Sequence, residues 1–97
     1  MAEAGSEAPR QRLDKWIWFA RVVKTRSLAT ALVEAGHVRV NGVKTTSPAK
    51  SLRMGDVLTI ALERRVLVLK VRDMGERRGP YEQARDLYEE LGDQRGS

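Results

Sequence analysis

Residues 12–50 read RLDKWIWFARVVKTRSLATALVEAGHVRVNGVKTTSPAK, and this stretch decides the fold. It contains two segments whose apolar residues recur at helical spacing, followed by an alternating segment that is broken at Asn41-Gly42. It also holds nearly all of the excess positive charge of the chain. We therefore expect one basic surface built from two helices and a hairpin, with the remaining residues as its support.

The first helix is predicted to follow Arg12 and to run for about three turns. Its apolar residues recur at helical spacing: Leu13, Trp16, Ile17 and Ala20. Asp14 lies in the first turn, where a carboxylate offsets the helix dipole. Trp18 does not fit this narrow stripe. It either stacks on an unpaired base or packs against a third helix, and we favour packing because that helix needs an apolar partner.

The second helix is predicted from Arg26 to Ala35, with Thr25 as its N-cap and Gly36 as its left-handed end. Its buried stripe is predicted to be Leu28, Ala31, Leu32 and Ala35. Exposed N–H groups at a helix start bind phosphate oxygens, and Lys24 and Arg26 flank this start. The alternative is an ordinary cap with two solvated cations. The sequence favours the phosphate site.

The dipeptide Asn41-Gly42 between alternating residues predicts a two-residue hairpin. The turn sets Val38–Val40 against Val43–Thr45, so that Arg39 faces Lys44. Two like charges directly opposite each other destabilise a free hairpin. A phosphate backbone over this face would reverse that effect, so the pair indicates a polyanion partner.

The second half of the chain is predicted to contain two strands and a third helix. The strands are Val57–Leu62 and Val66–Arg72, and the near-continuous apolar character of the latter predicts burial on both faces. Pro80 fits the first position of the helix and Gly92 its end. The apolar side of this helix would be Tyr81, Ala84, Leu87, Tyr88 and Leu91.

The expected fold is α+β, with two N-terminal helices packed on a small antiparallel sheet and a C-terminal helix. We divide the chain into a disordered segment over residues 1–11, an RNA-binding domain over 12–72, and a loop and helix over 73–97. No apolar run is long enough to span a bilayer, and MAEAGSEAPR is not a secretory signal. We therefore expect a cytoplasmic protein with no membrane contact.

The charge distribution indicates a polyanion partner. The net charge is +5, but residues 10–53 alone carry +8 and residues 54–97 carry −1. A surface charged for solubility would spread its cations more evenly. The chain has no cysteine, and its single histidine, His37, has no adjacent carboxylate. These features, with no phosphate-binding glycine motif, predict neither catalytic nucleophile, metal nor cofactor.

The pieces RLD, AR, KTRSLA, VEAGHVRVNG and MGDVL resemble the RNA-binding domain family named after small-subunit ribosomal protein four. The resemblance covers about residues 12–60. It depends on the combination of RLD, a T/S-R helix start, G-x-V-x-V-N-G and a following G-D. It implies two helices against a small antiparallel sheet, the alpha-L RNA-binding motif.

Within that family, KWIWFAR, KTR and the distal RRGPYEQARDLYEEL are similar to a branch of small ribosome-associated heat-shock proteins of bacteria. This implies binding to the large ribosomal subunit through ribosomal RNA. It also implies a role with stalled subunits that hold a nascent chain on transfer RNA, in heat stress or ribosome rescue. The chain departs from the branch in stopping soon after the third helix, without a long basic tail. We expect a monomer.

The candidate RNA-binding residues carried over from the resemblance are basic or polar side chains of the helices and the hairpin. They are Arg12, Lys15, Arg21, Lys24, Thr25, Arg26, Ser27, Arg39, Asn41 and Lys44, to which we add Lys50 from the loop after the hairpin.

Two other functions fit parts of the sequence. A helix-turn-helix protein would place the second helix in the major groove of duplex DNA, but the body of that helix offers few base-reading side chains. A targeting module for an RNA-modifying enzyme is the other, because the same domain occurs attached to pseudouridine synthases and methyltransferases. No catalytic domain fits in 97 residues, so that activity would need a partner protein. Weak DNA binding is compatible with every version.

Overall fold

The structure is a computed structural model that describes residues 10–75 and 84–95. Five antiparallel strands form a sheet in the order β3-β2-β5-β6-β7, and β1 pairs with β4 in a separate two-stranded sheet. The elements in chain order are β1 Arg10–Arg12, α1 Leu13–Phe19, α2 Arg26–Glu34, β2 Val38–Val40, β3 Val43–Thr45, β4 Ser51–Arg53, β5 Val57–Ala61, β6 Arg65–Val71, a 3-10 turn Arg85–Leu87 and β7 Tyr88–Arg95. The α+β class is as predicted. Within the described ranges no helix is long and apolar enough to cross a membrane.

The core lies between the two helices and one face of the larger sheet. Its buried residues include Trp16 and Ile17 from α1, Val33 from α2, and Leu58 and Leu69 from the sheet. Along β6 the side chains alternate between buried and half-buried or exposed positions. The prediction that this strand is buried on both faces is therefore wrong. Its outward-facing valines leave an apolar second face of the sheet partly open.

Helix α1 is shorter than predicted. It has seven residues, about two turns instead of three. Its first N–H groups are satisfied by the loop that follows the hairpin, because Leu13 N donates to Lys50 O at 2.8 Å and Asp14 N donates to Pro48 O at 3.1 Å. The loop after β3 thus fixes where α1 begins.

Helix α2 begins as predicted, with Thr25 as its N-cap. The predicted buried stripe is wrong, because Ala29 and Val33 are the buried residues. Leu28 is 51% exposed, and Ala31 and Ala35 are exposed. The reason is the contact with α1, which the Thr30 hydroxyl reaches by a hydrogen bond of 3.0 Å to Asp14. This bond turns the helix away from its most apolar face.

The hairpin is confirmed in detail. Val40 pairs with Val43, Arg39 with Lys44, and β2 continues into the sheet by pairing with β5. Both turn residues have positive φ, 52° at Asn41 and 84° at Gly42, as a two-residue hairpin turn requires.

The predicted C-terminal helix is wrong over the residues that the structure describes. Tyr88–Arg95 forms β7, an antiparallel partner for the outer edge of β6. Pairing this edge satisfies backbone groups that a helix would have left open. Leu91, expected on the apolar side of the helix, is an extra residue at a bulge in the ladder and is 49% exposed. The predicted start at Pro80, with Tyr81 and Glu82, lies outside the described residues.

Trp18 has no third helix to pack against, so the predicted partner is wrong. It is half-buried on the core, and its ring lies 5.0 Å from that of Phe19, centroid to centroid. Trp16 is fully buried instead. Its indole N–H donates to Asp73 O at 2.9 Å, and its ring meets Tyr88 edge-on at 6.3 Å.

The disorder predicted for residues 1–11 does not hold for Arg10 and Gln11, which belong to β1; residues 1–9 lie outside the described ranges. Gln11 is also held by a pair of bonds to one residue. Its Nε2 donates to Gly75 O at 2.6 Å, and its Oε1 accepts from Gly75 N at 3.0 Å. These bonds fasten the segment after β6 to the N-terminal strand.

The two tryptophans of α1 should differ in their contribution to stability. We expect Trp16→Phe to lower the free energy of unfolding by about 2 kcal/mol, because it leaves the Asp73 carbonyl without its donor and removes buried area. Trp18→Phe, the matched control, should cost less. Urea unfolding followed by circular dichroism measures both. An equal or larger loss for Trp18→Phe would contradict the packing described.

Candidate nucleic-acid interface

A buried carboxylate joins the two helices. Asp14 is only 1% exposed, and its oxygens accept bonds from Arg12 Nε and from a terminal nitrogen of Arg12, each at 3.0 Å. The Thr30 hydroxyl donates to the same carboxylate at 3.0 Å, and a guanidinium nitrogen of Arg26 lies 4.0 Å from it. A carboxylate this deeply buried is stable only with such partners.

The partners of Asp14 keep it ionised. Burial by itself would raise the pKa of the Asp14 carboxyl, but hydrogen bonds from Arg12 and Thr30 and the charges of Arg12 and Arg26 outweigh it and lower the pKa below its ordinary value. The same contact raises the pKa of Arg12. Both arginine side chains remain about half exposed, at 50% for Arg12 and 44% for Arg26. One side of each is held by Asp14 and the rest faces solvent.

The start of α2 is built as the sequence predicts. The Thr25 side chain accepts from Leu28 N at 3.1 Å and caps the helix. Lys24, Arg26 and Ser27 are exposed around this cap. The structure therefore places the start of α2 next to the Asp14 contact, through Arg26.

The Arg39–Lys44 pair lies on the outer face of the hairpin, but the two side chains have different surroundings. Arg39 lines a small cavity of about 160 Å³ together with Gly36 and Thr59. Lys44 extends across Gly36, since a Cβ added there would lie 2.5 Å from Lys44 Cε. The absent side chain at Gly36 is what leaves room for Lys44 in this position.

Asn41 has a structural role that the sequence did not indicate. Its Nδ2 donates to Asp56 Oδ1 at 3.1 Å, and its Oδ1 accepts from Val57 N at 2.9 Å. The side-chain amide thus ties the hairpin turn to the start of β5. Its candidate role as an RNA contact has to share these bonds.

A groove of about 610 Å³ separates the hairpin from β4. Lys44 and Lys50, both candidates from the sequence, line it together with Arg53, which the sequence analysis did not select. The signal for Arg53 was present as the alternation Ser51-Leu52-Arg53, in which only Leu52 is buried. A three-residue strand is too short for that pattern to be noticed alone.

Lys15 and Arg21 stand apart from these groups. Lys15 Nζ lies 5.8 Å from the Phe19 ring centroid, a cation–π distance on the side of α1. Arg21 has a φ of 61° at the end of α1, where glycine is usual, and lines a cavity of about 290 Å³ with Leu62, Tyr88 and others. These two cations belong to the flank of α1.

The candidates thus form one connected series and some separate members. Arg12 and Arg26 meet at Asp14, and Arg12 pairs through β1 with Ser51, next to Lys50 and the groove. Arg39 is on the outer sheet face. What the sequence missed most is Asp14, assigned only to the helix dipole, because its partner Thr30 lies 16 residues away.

Removing the charge of Asp14 should change both stability and its pH dependence. The lowered pKa means that the unfolded chain binds a proton more readily, so the stabilisation is present above about pH 4 and is lost as pH falls through the folded-state pKa. Asp14→Asn should cost about 2 kcal/mol at pH 7, with the gap to wild type narrowing below pH 4. Urea unfolding across pH measures this.

Glu34→Gln is the control for Asp14→Asn, because it removes one exposed negative charge from α2. It should leave the acid limb of the stability curve in place. A constant gap between Asp14→Asn and wild type from pH 7 to pH 3 would contradict the account of Asp14.

Two glycines allow the position of Lys44 to be tested. Gly36 and Gly42 both have φ 84°, so alanine at either should cost about 1–2 kcal/mol of folding free energy. Only at Gly36 does the new methyl group collide with Lys44, because Gly42 has nothing within 4 Å of an added Cβ. We expect Gly36→Ala to weaken binding to a structured RNA several-fold more than Gly42→Ala, by fluorescence anisotropy. Equal losses would remove Lys44 from the interface.

Comparison with known proteins places this geometry in a family. The S4 domain profile matches residues 11–58, which contain the Asp14 contact, the start of α2, the hairpin and the groove. Heat shock protein 15 of Escherichia coli is 38% identical over 84% of this chain, and the match covers 61% of that protein. This chain therefore spans less than two thirds of that relative.

Another relative is matched over nearly its whole length. The RQC P-site tRNA stabilizing factor of Listeria innocua is 33% identical, over 91% of this chain and 94% of that protein. Among solved structures, the trimeric structure of Vibrio cholerae heat shock protein 15 has a TM-score of 0.80 and 36% identity, covering 86% of this chain and 83% of that one. The chain belongs to the S4-domain family, with the heat shock protein 15 and RQC P-site tRNA stabilizing factor proteins as its relatives.

Proposed function

We propose that this protein binds ribosomal RNA of the large subunit, without enzymatic activity, on ribosomes that have stalled with a nascent chain on transfer RNA. The observation that carries the proposal is the Asp14 contact, in which Arg12 and Arg26 share one buried carboxylate and keep about half of each side chain exposed. Two guanidinium groups held side by side suit adjacent phosphates of a folded RNA.

The charge of the N-terminal half supplies most of the affinity in this proposal. Each lysine or arginine that neutralises a phosphate releases counterions, so binding should weaken steeply with salt. The exposed start of α2, with Thr25 as its cap, sets the position of the protein on the RNA backbone. Recognition is by the shape of the RNA more than by its sequence.

The relatives support the choice of ribosome and transfer RNA as partners. One set is named as heat shock protein 15, and the other as RQC factors that stabilize a P-site tRNA. The match to the second set covers 94% of its length, so a chain of this extent is compatible with that activity. We extend these partners to the present protein and place it in the cytoplasm, where ribosomes are.

A monomer is our proposal for the free protein, although the solved relative from Vibrio cholerae is trimeric. In the two-helix and hairpin region the candidate cations come from one chain. The Asp14 contact is complete within that chain. RNA binding as proposed therefore does not depend on a second copy.

The duplex-DNA alternative is less well supported. A recognition helix reads bases with polar side chains on its outward face. The outward face of α2 instead carries Leu28, Ala31 and Ala35, all exposed. This face speaks against direct reading of a DNA sequence and leaves the cations at its start to contact backbone.

The test is binding to separated ribosomal subunits and to a structured large-subunit RNA fragment across salt. We expect sedimentation with the large subunit, and for Arg26→Ala about a tenfold loss of affinity with a salt slope reduced by about one. Arg64→Ala, in the exposed β5–β6 turn outside the interface, is the charge-matched control. A flat salt response, or equal losses in the two variants, would sink the proposal.

A further inference from the structure

The groove between the hairpin and β4 has two strand edges as its walls. β3 is the terminal strand of the five-stranded sheet, and β4 pairs only with β1 among the described strands. The groove, about 610 Å³, lies between the two and is lined by residues of both. Its sides are therefore partly backbone, with hydrogen-bonding groups that no described strand uses.

The charge of the groove is positive. Lys44, Lys50 and Arg53 line it, and Asp56 is the carboxylate among the lining residues. Both oxygens of Asp56 are engaged, since Oδ1 accepts from Asn41 Nδ2 at 3.1 Å and Oδ2 accepts from Arg53 N at 2.9 Å. Asp56 thus shapes the end of the groove, and the cations select an anionic occupant.

The groove also has an exposed apolar side chain. Val43 is 69% exposed, although it lies in a strand and its cross-strand partner Val40 is 4% exposed. A valine beside cations suits an occupant that presents both charge and an apolar surface. An unpaired nucleotide does so, with its phosphate and the face of its base, whereas a duplex turns only sugar and phosphate outward.

The groove continues from the Asp14 contact. Arg12 is in register with Ser51 on the neighbouring strand, and the Lys50 carbonyl accepts from Leu13 N at 2.8 Å. A nucleic-acid strand that leaves Arg12 therefore meets Lys50 next. An acidic peptide could instead add to the edge of β3, but it would have no reason to extend toward Arg12 and Arg26.

We propose that this groove binds a short unpaired segment of RNA, with phosphates at Lys50 and Arg53 and a base or ribose against Val43. The inference rests on the proposed RNA-binding function and adds a second part to the interface. The Arg12–Asp14–Arg26 contact holds the backbone of a folded element, and the groove holds the unpaired strand next to it.

The experiment compares two RNAs by fluorescence anisotropy with the full chain. One is a blunt hairpin and the other is the same hairpin with a short single-stranded extension. The quantity measured is the ratio of the two affinities. We expect the wild type to prefer the extended RNA by about fivefold or more, since base contacts and added phosphates both contribute.

Arg53→Gln and Val43→Ser should each bring this ratio close to one. Arg64→Gln is the charge-matched control and should keep the wild-type ratio. A wild-type ratio near one, or an unchanged ratio in both groove variants, would overturn the inference while hairpin binding still supports the proposed function. Loss of binding to both RNAs in the wild type would overturn both.

An oligoglutamate peptide, labelled and titrated in the same buffer, tests the competing occupant. We expect it to bind no more tightly to wild type than to Arg53→Gln. Tight peptide binding that depends on Arg53 and Val43, with no preference for the extended RNA, would assign the groove to an acidic peptide and overturn the RNA assignment.

Discussion

The buried carboxylate of Asp14 constrains most of the N-terminal half. A carboxylate with 1% exposure has to be paired, and the pairing here needs three side chains from two elements. Arg12 must lie at the start of α1, and Arg26 and Thr30 must face α1 from the first turns of α2. The orientation of α2 and the position of the two arginines are therefore set together.

The same region joins the helices to the strands. The carbonyls of Pro48 and Lys50 accept from the first N–H groups of α1, and β1 places Arg12 beside Ser51 of β4. Local satisfaction of a helix start thus fixes the far wall of the basic groove. Structure and candidate function share these bonds, because each bond that begins α1 also positions a cation or a groove residue.

Elements determined by local sequence were predicted well. The Asn41-Gly42 turn needs positive φ at both residues, so its register and the Arg39–Lys44 pair followed from the sequence. The Thr25 cap followed for the same reason. The family resemblance supplied the candidate cations, and the structure shows that Arg12 and Arg26 meet while Lys15 and Arg21 lie elsewhere.

Elements determined by distant partners were predicted poorly. The buried face of α2 depends on Asp14, which its own apolar pattern cannot reveal, so Leu28 was placed inside and is half exposed. Tyr88–Arg95 has helical spacing, yet the open edge of β6 makes it a strand. In both cases a tertiary contact outweighed the local pattern.

The most direct test of the role of Asp14 is a double-mutant cycle on RNA affinity with Asp14→Asn and Arg26→Ala. If Asp14 acts by holding Arg26 in the interface, the double variant should bind about as weakly as the weaker single variant. All variants are checked for folding by circular dichroism at the same temperature. If the two losses add in full, Asp14 does not position Arg26, and the central claim is wrong.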